Sequence, residues 1–215
     1  MAKLSGILWD NDGVLVDTER HFYDANRTLL LEHGVDLSER DFFNWYLADN
    51  CGAWHLLADP SPANIVRLRA ERNARYTTRL LGQAITPIAG VREALAELAP
   101  RVAMGVVTSA SAEHFDIIHR DLGLRQHFRF VLTDDTYVNS KPSPEPYLLG
   151  LSRLGLAPEQ CIVVEDSPRG LQAATAAGMR CLILRNALTH HHDFAGAYHV
   201  ADDMAELHGI LSSLI

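Results

Sequence analysis

A parallel β-sheet with helices on both faces, a three-layer α/β core interrupted once by an all-helical insert, is the architecture that this 215-residue sequence predicts. Three observations predict it. Short apolar runs of β type alternate with helix-patterned stretches, the pattern that builds a parallel sheet. The runs end in polar or acidic residues, and ligands of such sheets bind at the carboxyl ends of the strands. Between about Thr18 and Ile85 the alternation stops, and no strand is evident.

The run ending Ile7-Leu8-Trp9-Asp10 opens the series. Val102–Thr108, Phe130–Asp134, Cys161–Asp166 and Arg180–Arg185 follow, each too short for a typical helix and each leading into turn residues. Between them, Gly90–Leu98, Ser111–Leu122, Pro144–Leu154 and Pro168–Ala177 carry helical spacing. Gly123 and Gly178 stand where left-handed C-terminal caps belong. The interruption reads as helices: Thr18–Glu32, introduced by the capping-type residues Asp17 and Thr18, and Ala63–Leu81. Breaks fall at His33-Gly34 and at Asp59-Pro60-Ser61-Pro62. The predicted division is a core of residues 1–18 and 85–215 with a helical insert of residues 19–84. Placed directly after the first strand, the insert is expected to cover the sheet's ligand-binding edge.

Composition narrows the function. Apolar residues make up 47% and charged residues 21%, an ordinary globular balance, and the net charge is −8. That charge argues against broad contact with nucleic acid or an anionic membrane, but not against a small anionic substrate in a locally positive site. Cys51, Cys161 and Cys181 lack zinc-ligand or redox spacing, which fits a reduced, cytoplasmic setting with Cys161 and Cys181 as buried apolar groups. Met1–Trp9 is too short an apolar stretch for a signal peptide or membrane span. A monomer is expected.

The chemistry concentrates in Asp10-Asn11-Asp12-Gly13. In an extended segment, side chains two apart share a side, so Asp10 and Asp12 can face one site. Carboxylates that close repel, and a hard cation such as magnesium relieves them. Gly13 allows a sharp turn immediately afterwards. By itself Asp-x-Asp-Gly reads more readily as an acidic strand-end turn. Thr108-Ser109, at the end of the second run and before a helix, offers hydroxyls and N–H groups to a phosphate. Of 19 lysines and arginines only Lys3 and Lys141 are lysines, and Lys141 lies after the third run. A compact ammonium at the mouth of the sheet points to paired charge. Glu165-Asp166 closes the fourth run with two more acids.

These four segments in this order resemble the haloacid dehalogenase superfamily, in the branch with a helical cap after the first motif, and the resemblance spans nearly the whole chain. Asp10-Asn11-Asp12-Gly13 looks like motif one, Thr108 motif two, Lys141 motif three and Glu165-Asp166 motif four. The resemblance implies a Rossmann-like core and a magnesium-dependent phosphatase acting on a small phosphorylated metabolite. It implies Asp10 as nucleophile forming an aspartyl-phosphate, and Asp12 as general acid and then base. Thr108, Ser109 and Lys141 would hold phosphoryl oxygens. Asp10, Asp166 and the Asp12 carbonyl would hold the metal, with Glu165 assisting directly or through water. Asn11 departs from the apolar residue usual in the family; alternation turns its side chain off the reacting face, where little should change.

Several relatives' reactions fit less well. Dehalogenases of the superfamily lack the aspartate two past the nucleophile, and phosphonate-cleaving members use a cap lysine that the insert lacks. Mutases of β-phosphoglucomutase type use a cap lysine and a histidine five past the aspartate at position 17; here that place is Phe22, and His21 is one short. Mutase activity is therefore the alternative, and a non-catalytic module, which would lose at least one motif residue, is less suited. His21, Asn50 and Trp54 are the candidate specificity residues, although Trp45 and Trp54 fit a cap core equally well. The arginines between Arg67 and Arg79 read as a solvated helix face, and His190-His191-His192 as a solvated loop.

Overall fold

Strand β1 (Gly6–Trp9) is buried at all four positions, as a central strand of a parallel sheet must be when both its faces are covered. The computed structural model describes residues 3–215; the first two positions of the expected 1–18 core segment lie outside the described residues. The chain divides into one unit taking the chain up to Asp17 together with Thr86–Ile215, and a second unit, Thr18–Ile85.

The second unit follows β1 and is wholly helical: α1 (Glu19–Glu32), α2 (Glu39–Phe42) running into a π-helical turn at Phe43–Ala48, and α3 (Pro62–Gly82). Ser61 accepts from the Asn64 amide and Pro62 occupies the first turn, a favourable helix start. Thr18 precedes α1 without a side-chain cap bond, contrary to the capping expected of it. Its backbone (φ −110, ψ −8) is near-helical rather than the extended conformation usual at an N-cap. An aromatic cluster fills this unit: Phe22 meets Phe42, Tyr46 and Tyr76 edge-on, with centroids 5.3–6.2 Å apart. Arg72 departs from the solvated face expected of the arginines between Arg67 and Arg79. Its guanidinium lies 4.6 Å from the Phe22 ring centroid, and burial lowers its pKa to about 10.

The first unit continues as α4 (Val91–Leu98), β2 (Ala103–Val107), α5 (Ala112–His119), β3 (Val131–Leu132), α6 (Glu145–Leu154), β4 (Cys161–Glu165), α7 (Pro168–Ala176), β5 (Arg180–Leu184), β6 (His199–Ala201) and α8 (Met204–Leu214). Its six strands are parallel in the order β3-β2-β1-β4-β5-β6. The alternating architecture is the one the sequence predicts; β6 and α8 extend it. Gly123 and Gly178 adopt φ of 67 and 74, the left-handed conformation expected of them.

The register fixes the site. Leu8 lies opposite Gly105 on β2 and Val163 on β4, so β1, β2 and β4 end level. The ladder runs one residue further on each side, Asp10 N–H donating to Val164 and Thr108 N–H to Leu132, each at 2.9 Å. Beneath this edge Leu8, Val107, Tyr147, Val163, Ile183 and Phe194 form one buried core, which makes the platform rigid. No helix among the described residues is long and apolar enough to cross a membrane.

Candidate active site

Each candidate residue of the first unit lies within or beyond a strand's carboxyl end. Asp10 follows β1, Thr108 and Ser109 follow β2, Lys141 lies in the connection after β3, Glu165 ends β4 and Asp166 follows it. The turn after Asp10 is closed by Gly13 N–H donating to Val16 O at 2.8 Å. Gly13 has φ +76, and a Cβ there would fall 2.0 Å from Asp166 Oδ2. Only glycine allows the turn to come this close to Asp166.

Lys141 is the centre of the cluster. Its side chain is buried, and Nζ donates to Asp10 Oδ1 at 2.9 Å, Val107 O at 2.9 Å and Glu165 Oε1 at 2.7 Å. Burial alone would lower the lysine pKa, but Asp10 and Glu165 outweigh it and hold the ammonium charged. Burial raises the Asp10 pKa, and Glu165 and Asp12 raise it further against the pull of Lys141. Burial likewise acts to raise Glu165, where Lys141, Tyr147 and Ser167 reverse the shift and keep it ionised.

The acids exceed the single ammonium. Asp10, Glu165 and Asp166, all buried, each offer a carboxylate oxygen, and these lie within 4.8 Å of one another. They are the one group of three or more potential metal-ligating side chains among the described residues. An all-oxygen set carrying excess negative charge in a buried place fits a hard divalent cation. Glu165 contributes differently from its neighbours. Oε1 accepts from Lys141 and from Tyr147 Oη at 2.7 Å, while Oε2 accepts from Asp166 N–H, Ser167 N–H and Ser167 Oγ–H at 3.1, 3.2 and 2.9 Å. Five donors occupy a carboxylate's usual acceptor capacity, so this group anchors its surroundings.

Asp12 is half-buried, and its Oδ2 accepts from Thr108 Oγ at 3.3 Å. Thr108 Oγ in turn accepts from Ala110 N–H at 3.0 Å, while Ser109 Oγ is buried beside it. The Asn11 side chain does leave the reacting face, but its amide Nδ2 returns to Asp12 Oδ2 at 3.2 Å. Three further residues join the site that the sequence did not single out. Tyr147 of α6 and His119 of α5 reach it from helices, and Asn186 Nδ2 donates to Asp166 Oδ2 at 2.6 Å. Asn186 was findable, because it lies just beyond β5 and obeys the same strand-end rule.

His21, Asn50 and Trp54 belong to the second unit. Trp54 is 5% exposed with Arg69 over its ring, and Asn50 is exposed with φ 54. His190, His191 and His192 do not converge: His190 Nδ1 pairs with Ala187 O, and His192 meets Phe194 edge-on.

The sequence profile of the haloacid dehalogenase-like hydrolases matches residues 7–184. The validoxylamine A 7'-phosphate phosphatase of Streptomyces hygroscopicus subsp. limoneus is 33% identical over 210 residues, covering 96% of this chain and 92% of that protein. The fructose-1-phosphate phosphatase YqaB of Escherichia coli (strain K12) is 29% identical over 187 residues, 85% of this chain and 97% of its own length. A crystal structure of a mutant CbbY from Rhodobacter sphaeroides, in complex with xylulose-(1,5)bisphosphate, has a TM-score of 0.76 at 27% identity over 95% of this chain and 96% of that one. Matched along most of its length, with the strand ends furnished as described, this chain belongs to the haloacid dehalogenase-like hydrolase family.

Proposed function

We propose that the protein is a magnesium-dependent phosphatase that hydrolyses a phosphorylated sugar or similar small metabolite through an aspartyl-phosphate on Asp10. The convergence of Asp10, Lys141 and the Glu165-Asp166 pair at one strand edge is the observation that carries the reading. Relatives named as phosphatases of phosphorylated sugars and sugar-like compounds support the substrate class.

Asp10 Oδ attacks phosphorus, and the bond from phosphorus to the leaving alcohol oxygen breaks as the new one forms. Asp12, protonated for this step, gives its proton to the departing oxygen. A water then attacks the same phosphorus and gives its proton to Asp12, while the phosphorus–Asp10 bond breaks and the carboxylate is restored. Lys141 and the Thr108-Ser109 turn hold the phosphoryl oxygens in line and keep the anionic ester beside an anionic nucleophile. Asp10, Asp166 and the Asp12 carbonyl would hold the ion, which when bound supplies positive charge to the transferring phosphoryl oxygens. Glu165, its lone pairs already engaged, keeps Lys141 extended toward Asp10. In this reading the first unit is the catalytic core and the second a cap.

Phosphate release from a panel of phosphomonoesters, with and without magnesium, tests the proposal. Metal-dependent release is expected, and Asp10→Asn should lower it at least about a thousandfold with little change in melting temperature. Full activity in a folded Asp10→Asn protein would refute the nucleophile assignment. Conversion of β-glucose 1-phosphate without phosphate release would move the protein to the mutases.

A further inference from the structure

Behind Asp12 lies a buried polar chain that the reaction as written does not use. Asn11 is fully buried, and its amide bridges two groups, Nδ2 to Asp12 Oδ2 at 3.2 Å and Oδ1 to His119 Nε2 at 2.6 Å. His119 closes α5, is 3% exposed, and stacks on Phe115 with ring centroids 4.1 Å apart and planes 17° from parallel.

The chemistry of the three groups fixes the direction of both hydrogen bonds. Thr108 Oγ, which accepts from Ala110 N–H, donates to Asp12 Oδ2, so that oxygen is an acceptor; Asn11 therefore turns its NH2 toward Asp12 and its oxygen toward His119. An amide oxygen only accepts, so His119 must carry its hydrogen on Nε2. Nδ1 is then the bare nitrogen, and it is the ring atom that lies buried without a hydrogen-bond partner. A buried N–H in that place would be the costlier orphan. Burial, with a smaller push from Arg125, lowers the His119 pKa to about 4, so the ring stays neutral near pH 7. Thr108 Oγ donates to the same Oδ2 of Asp12, so two donors from different elements hold one carboxylate oxygen.

We propose that His119 and Asn11 form a positioning relay: His119 fixes which way the Asn11 amide faces, and Asn11 together with Thr108 holds the Asp12 carboxylate in the orientation for proton transfer. Neither residue touches substrate. The inference rests on the reading of Asp12 as the acid–base group. An apolar residue at position 11 would fill the volume but leave Asp12 one donor short. Misplacing a reacting group by about an ångström costs on the order of a hundredfold in rate.

Turnover of 4-nitrophenyl phosphate by Asn11→Leu, His119→Phe, His119→Gln and the Asn11→Leu/His119→Phe double variant tests the relay. Alongside it, inorganic phosphate affinity, melting temperature and the Asp12→Asn control are measured. Asn11→Leu should lower kcat roughly 10–100-fold, with KM and phosphate affinity within about twofold. The double variant should be no slower than Asn11→Leu alone, because the chain is already cut. The two His119 variants separate positioning from packing. Phe preserves the stack on Phe115 and should melt higher, whereas Gln can donate to Asn11 and should turn over faster.

Unchanged kcat in Asn11→Leu, multiplicative losses in the double variant, or a Phe variant faster than Gln would overturn the relay. If Asn11→Leu does not fold, the ring nitrogen resonances of His119 in the native protein decide: hydrogen on Nε2 supports the relay and hydrogen on Nδ1 overturns it. Full turnover in Asp12→Asn would overturn the relay and the acid–base assignment together. Loss there without loss in Asn11→Leu overturns the relay alone.

Discussion

Lys141→Met removes one charge from the middle of the buried cluster while nearly conserving volume. The ammonium stands 2.9 Å from Asp10 and 2.7 Å from Glu165. At an effective dielectric of about 20, each contact is worth about 6 kcal/mol of Coulomb attraction before the cost of taking the charges out of water is subtracted. Because that cost has already been met for the acids, deleting only the cation leaves them buried and uncompensated, a change that costs about 3–5 kcal/mol. For a chain of this size that corresponds to a fall in melting temperature on the order of 10 °C. Differential scanning calorimetry in metal-free buffer at pH 8 measures it. Lys141→Met/Glu165→Gln, which takes out one of the stranded acids, should regain more than half of the loss although it remains inactive. A fall of less than about 3 °C in the single variant, or a double variant no more stable than the single, would refute the account of Lys141 as the charge that holds the cluster together.

Gly170→Ala places a Cβ 1.9 Å from the Glu165 carboxyl, which its five donors keep from moving aside, so a destabilisation of about 1–3 kcal/mol and reduced turnover are expected. Gly209→Ala, where nothing lies within 4 Å of the added atom, should be neutral or slightly stabilising in the same melting assay. Asn186→Ala deprives Asp166 of its 2.6 Å donor and should raise the magnesium concentration needed for half-maximal turnover about tenfold, read from a metal titration at saturating ester. His119 gives a pH signature. Its folded pKa of about 4 lies below the ordinary histidine value of 6.5, so the unfolded chain takes up a proton between those values that the folded chain refuses. Stability should therefore be fully present above pH 6.5 and fall by up to about 3 kcal/mol as pH drops to 4. Urea titrations of His119→Phe should show a shallower decline across that window, and an identical decline would contradict the buried neutral ring.

The parts of this fold legible in sequence were those whose residues face a uniform environment. β1, β4 and most of β5 and β2 are buried along their length, so they appear as unbroken apolar runs whose ends locate Asp10, Thr108 and Glu165-Asp166. β6 is three residues long and exposed at one end, too little pattern to distinguish from loop. Met204, Leu207 and Leu211 of α8 do carry helical spacing on a buried face, a signal present in the sequence. Tyr147 and His119 lay beyond reach for another reason. Each sits in an apolar helix where core packing explains an aromatic ring, and only tertiary contact shows that Tyr147 Oη meets Glu165 and that His119 meets Asn11. Arg72 inverts the usual expectation for charge on a helix, since the ring of Phe22 and the Asn26 side chain shelter a group that spacing alone assigns to water.

The pairing of β1 with β2 has a consequence for how freely such a chain can be elaborated. Gly6 pairs with Ala103, and most of the chain between them is the unit Thr18–Ile85. In the unfolded chain, bringing those strands together closes a loop of roughly 100 residues where roughly 30 would suffice, and the extra entropy is only about 1 kcal/mol because the cost grows with the logarithm of length. The connection between β1 and β2 is therefore a place where whole folded modules can be gained, lost or exchanged at almost no thermodynamic penalty to the sheet. Selection can accordingly rework that stretch of the polypeptide while the stretches that build the sheet stay as they are.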